Sequence, residues 1–81
     1  MIKDFEELST VGTNREIAIL KDIDSEIIVR AYMGTSPDNA VWLENNLPQV
    51  DFKSIRERLG RQPIAEIEKA QDYLLERLNS K

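Results

Sequence analysis

Cysteine and histidine are both absent from this chain of 81 residues. Without cysteine there is no disulfide to staple so short a sequence, and no thiolate to serve as nucleophile or metal ligand. Without histidine the commonest general base and the commonest imidazole ligand are missing too. Glycine is scarce: there are three, and none lies in an array that could cradle a phosphate, so Walker and dinucleotide fingerprints are excluded. Long apolar runs are also lacking. Stretches such as Ile17-Ala18-Ile19-Leu20 fall far short of the roughly 20 residues that span a bilayer. The first residues, Met1-Ile2-Lys3-Asp4-Phe5-Glu6-Glu7, are acidic and lack the apolar centre of a signal peptide. These absences lead us to expect a soluble, cytoplasmic protein that is not an enzyme, does not insert into membranes and holds neither cofactor nor metal.

What is present suffices for one small domain over residues 1–81. Hydrophobic residues make up 41% and charged residues 32%, a balance that supplies both a core and a solvated surface. The net charge of −4, from 15 acidic and 11 basic residues, argues against non-specific attraction to phosphate backbones. A local basic patch of Lys53, Arg56, Arg58 and Arg61 runs counter to it. Glu57 interrupts that patch and no aromatic platform accompanies it, so a small nucleic-acid-binding regulator is the lesser reading.

Helix punctuation organises the chain. Phe5, Leu8 and Val11 recur every third residue and predict a short turn from Asp4 to Ser9, ended by Gly12. Thr13-Asn14-Arg15-Glu16 is a capping box opening a helix with Ile17, Leu20 and Ile23 on its buried stripe. Asp24 caps the next helix. Its residues Ile27, Ile28, Val29, Ala31, Tyr32 and Met33 leave Arg30 as the main polar position, which predicts a buried central helix; three adjacent β-branched residues make a strand the runner-up. Ser36-Pro37-Asp38 starts another, with Ala40, Leu43 and Leu47 inward and Pro48 at its end. Asp51 caps a helix with Phe52, Ile55 and Leu59 on its inner face. Gly60 then closes it, and Pro63 fits the first position of a last helix striped by Ile64, Ile67, Gln71, Leu74 and Leu78. Asn79-Ser80-Lys81 is expected to fray. The fold class is therefore all-α: a compact stack of about five short helices behind a leading turn.

No constellation carries chemistry. Asp22, Asp24 and Glu26 are spaced like the opening of a calcium loop, but Ile27 stands where that loop needs glycine and Asp24 is accounted for as a cap. The pair Glu6 and Glu7 reads as solvated surface. Gln71, polar within an apolar stripe, is suited to bond a neighbouring helix terminus. Trp42 lies about 100° from Leu43 and about 200° from Ala40 around its helix. It is either an interaction anchor on the outer face or a lid over the amino-terminal turn.

The order of motifs resembles a known family. Phe5-Glu6-Glu7-Leu8, Ile19-Leu20-Lys21-Asp22-Ile23-Asp24-Ser25-Glu26, Ala31-Tyr32-Met33-Gly34 and Pro63…Glu66-Ile67-Glu68-Lys69-Ala70-Gln71 are similar, in sequence order, to the C-terminal region of the flagellar motor switch protein FliG. The resemblance implies an armadillo-like helical stack in a bacterial protein that works by protein contact alone. In that family a helix matching roughly residues 50–60 presents charged residues to the stator. Here Met33 and Val50 replace two of its basic residues, Glu57 and Arg58 occupy its acidic pair, and Ala65 falls near its last basic position. Only Glu57 keeps the family's charge, and 81 residues leave no room for the family's preceding domains. The expectation is thus a stand-alone FliG-like interaction module without the stator-facing charge pattern, the alternative being a reduced motor component that contacts a stator. Its interaction residues are expected to be Trp42, Lys53, Arg56, Glu57, Arg58 and Arg61, meeting another protein. Short hinges also allow helices to be exchanged between copies, which is compatible with a homodimer.

Overall fold

The caps named above set the architecture. The computed structural model describes residues 2–80 and, among them, contains helices and no strands. A 3₁₀ turn at Phe5–Glu7 leads into α1 (Leu8–Val11), followed by α2 (Asn14–Lys21), α3 (Ser25–Met33), α4 (Pro37–Asn46), α5 (Phe52–Leu59) and α6 (Ile64–Asn79). Thr13, Asp24, Ser36 and Asp51 are the N-caps of α2 to α5. Asp24 accepts from the Glu26 amide at 2.8 Å, and Asp51 from the Ser54 amide at 3.1 Å. Each bond satisfies an amide that has no partner within its helix. The β-branched run Ile27-Ile28-Val29 is helical, so the cap outweighs strand propensity there.

The central helix is α3, packed against α6, α5 and α4. Ile28, Val29 and Ala31 are fully buried in it, while Tyr32 and Met33 at its last turn are only partly covered. Leu8, Leu20, Leu43, Leu47, Leu74 and Leu78 close around it from the other helices. Each such leucine contributes about 2 kcal/mol of transfer free energy. The result has a radius of gyration of 11.5 Å and extents of 32 × 25 × 22 Å.

Several expected positions shift by a residue or a turn. The inward stripe of α4 is Asn39, Leu43 and Leu47; Ala40 is a flank. Asn39 is fully buried because its amide ties three backbone or side-chain groups together. Its Oδ1 accepts from Ser9 N at 2.9 Å, and its Nδ2 donates to Phe5 O at 3.2 Å and to Thr35 Oγ1 at 2.8 Å. Pro63 is the N-cap of α6, one position before the first helical residue. Ile64 is 73% exposed because its turn projects past the end of α3, and the buried stripe of α6 is Ala70, Leu74 and Leu78. Asn79 ends α6 in a two-way clasp, accepting from Ile2 N at 2.9 Å and donating to Ile2 O at 2.7 Å; it is held there instead of fraying. Lys81 lies outside the described residues. Glu6 and Glu7 are not idle surface either. Glu6 accepts from Thr35 Oγ1 at 2.8 Å and Ser36 N at 2.9 Å, and Glu7 accepts from Asp4 N at 2.9 Å.

Candidate interaction groove

The corner between α5 and α6 determines what the surface offers. Gly60 ends α5 at φ 66° and ψ −152°, an extended, positive-φ conformation that glycine adopts without penalty. No atom would meet a Cβ there, so backbone angle alone calls for glycine. At Gly34 the chain comes close instead: a Cβ would sit 2.5 Å from Ile67 Cγ2. Gln71 secures this junction by donating to the Ala31 carbonyl at 3.0 Å in the last turn of α3, the helix-terminus bond its sequence position suggested.

Between the end of α3, one face of α5 and the start of α6 lies an open groove of about 780 Å³. Its floor is apolar, with Tyr32 and Met33 from α3, Phe52 from α5 and Ile67 from α6. The Tyr32 and Phe52 rings pack at 4.7 Å with a 44° tilt, a favourable aromatic arrangement. The rim carries Lys53, Arg56 and Glu57 from α5, Arg61 from the corner and Glu44 from α4. The Tyr32 hydroxyl donates to Glu44 Oε2 at 3.2 Å. Burial, then the Glu44 bond and charge, raise the Tyr32 phenol above its ordinary value, with Arg56 opposing.

Lys53, Arg56, Glu57 and Arg61 therefore come together as one site. Arg58 does not join them. It pairs with Glu26 Oε2 at 3.0 Å, and Arg30 reaches the same carboxylate at 3.7 Å. Arg30 also donates to Gln62 Oε1 at 3.3 Å, while Gln62 Nε2 donates to Leu59 O at 2.9 Å. Gln62 thus forms a divide between the main groove and a second hollow of about 390 Å³ floored by Ile27 and Ala70 and flanked by Tyr73. Trp42 stands apart from both the groove and the hollow. It is partly buried, and its ring so closely covers Gly12 that a Cβ on that glycine would lie 2.4 Å from Cζ2. Trp42 and the groove residue Glu44 are two positions apart, about 200° around α4, and so occupy opposite sides of it.

The sequence reads the floor residues Tyr32, Met33, Phe52 and Ile67 as core; Phe52 is buried, while the other three are only partly covered. The available signal is position: Tyr32 and Met33 fall in the final turn of α3, at the edge of the core. Among the described residues no buried side-chain polar atom lacks a hydrogen-bond partner. Glu16 accepts from Thr13 N and Arg15 Nη1, each at 2.8 Å, and from the Thr13 hydroxyl; Thr13 first and Arg15 second hold its carboxyl down to about 2. Arg15 also donates to Leu78 O and Ser80 O, both at 3.0 Å, and neutralises the negative end of α6. Among the described residues no group of acidic side chains is placed to hold a metal ion, and no helix is long and apolar enough to cross a membrane. No protein-family model, curated protein or solved structure matches the chain.

Proposed function

We propose that the chain is a non-catalytic protein-interaction module, a cytoplasmic FliG-like domain that holds another protein in the groove along α5. The observation that supports this reading is the grouping of Lys53, Arg56, Glu57 and Arg61 around a partly exposed apolar floor. Aromatic and arginine side chains around an apolar centre are the residue types that dominate protein interfaces. The order of helix-breaking motifs supports the FliG-like part of the proposal. Trp42 serves the fold in this reading, because its ring is committed to Gly12. Site-specific photo-crosslinking tests it. A photoreactive residue in place of Lys53, in cells that naturally make the chain, is expected to trap a discrete protein adduct. The same residue in place of Asp72, exposed on α6, is expected to trap none. Equal adducts at both positions, or none at Lys53, would refute the proposal.

A further inference from the structure

The charge around the groove differs from that of the rest of the chain. The whole sequence carries −4, yet α5 and the corner after it carry Lys53, Arg56, Arg58 and Arg61 against Glu57 alone. Arg58 is neutralised by Glu26, and Arg15 and Arg30 also have carboxylate partners. Among the described residues, Lys53, Arg56 and Arg61 have no ion-pair partner. Three exposed cations without internal counter-ions therefore border the floor made by Tyr32, Met33 and Ile67. Of the two acids on the rim, Glu44 already accepts from Tyr32.

From this charge pattern we infer that the groove receives an acidic amphipathic helix of a partner protein. The inference rests on reading the groove as the interaction site and adds the chemistry of its occupant. The partner's apolar residues lie on the Tyr32–Met33–Ile67 floor, and its Asp and Glu side chains meet Lys53, Arg56 and Arg61. A helix is the form that fits, because the described residues offer no strand edge for an extended peptide to join, whereas a helix satisfies its own backbone. A nucleic acid fits less well: its phosphate backbone brings no apolar face to cover Met33 and Ile67 on the floor, as an amphipathic helix does. Glu57 adds a finer preference, for a single basic or hydrogen-bonding residue on the occupant beside its carboxylates.

Selection from a display library tests the inference. The library presents helices of about 14 residues, roughly 21 Å long, with fixed apolar positions at i, i+3, i+4 and i+7 and all flanking positions randomised between Glu, Lys and Gln. Selection on the full chain is expected to enrich Glu-rich flanks. Synthetic versions of the enriched peptides should bind at least about tenfold more weakly to Arg56→Glu/Arg61→Glu and to Lys53→Glu, and more weakly at high salt. These positions are exposed, and circular dichroism would verify that each variant keeps its helices. Enrichment of groove-binding helices that are neutral or Lys-rich would overturn the inference and leave the interaction reading standing. If no helix is enriched, both fail. Self-association of the chain at micromolar concentration, or retention of a labelled oligonucleotide, would overturn the inference if either is abolished by Arg56→Glu/Arg61→Glu.

Discussion

Replacing Asn39 should be among the most damaging single changes to the fold. Asn39→Leu keeps much of the side-chain volume but removes one acceptor and two donated bonds. The Phe5 carbonyl, bonded in a buried setting, loses one of its two donors and keeps the Leu8 amide. Losing one bond from a carbonyl that keeps another costs about 1 kcal/mol. Ser9 N and Thr35 Oγ1 are partly accessible and recover some solvation, so each adds about 0.5 kcal/mol. The expected loss is about 2 kcal/mol, against a total stability of about 4–12 kcal/mol for a chain this size. That corresponds to a fall in Tm of about 8–16 °C. Urea titration followed by helical circular dichroism measures it, with the m-value unchanged if only stability is altered. Asn39→Asp adds a sign test. An ionised carboxylate would bring negative charge against the Phe5 carbonyl and toward Glu6, whereas the protonated acid can donate to that carbonyl. Burial raises the new group's pKa, so its defect relative to the parent should shrink as pH falls from about 7 to about 4. A loss below about 1 kcal/mol in Asn39→Leu, or a pH-independent Asn39→Asp defect, would refute the reasoning.

Other substitutions have consequences of comparable or smaller size. Gly60→Ala should cost about 1–2 kcal/mol through backbone strain alone, since the space beside it is open. Gly12→Ala should cost about 1–3 kcal/mol through its clash with Trp42 and Leu8 O, and a double variant with Trp42→Ala should show non-additive relief; chemical denaturation of the set checks both. Trp42→Ala by itself should lower stability by about 2 kcal/mol while leaving capture of the crosslinked partner intact; lost capture at unchanged stability would return Trp42 to the interface. Glu16, whose folded pKa is lowered from 4.5 to about 2, contributes stability that is fully present above pH 4.5 and disappears as pH falls toward 2. The gap between parent and Glu16→Gln, about 2 kcal/mol near neutral pH, should therefore close over that window in acid titrations of stability.

Helix boundaries were the most legible part of the sequence, because a cap acts locally. Thr13, Asp24, Ser36 and Asp51 each satisfy amides within three residues, and no distant contact is needed to recognise them. Burial was less legible wherever a polar side chain served another element. Nothing local marks Asn39 as buried, since its three partners lie 4 to 34 residues away. Ile64 shows the reverse case: its apolar side chain continues the stripe of α6, but α6 extends one turn beyond the helix that would cover it. The charged residues of the groove were visible as a cluster in sequence, while its floor was not. Tyr32 and Ile67 become neighbours only once the Gly60 corner folds α6 back along α3. The departure of Arg58 from the cluster likewise depends on Glu26, 32 residues away.

The groove along α5 as the binding surface is tested most directly by backbone-amide NMR of the labelled chain during titration with the crosslinked partner. The account predicts that shift changes concentrate at Tyr32, Met33, Lys53, Arg56, Arg61 and Ile67, with the Trp42 indole resonance unmoved. Changes centred on Trp42 and α1, with the α5 amides unaffected, would contradict it.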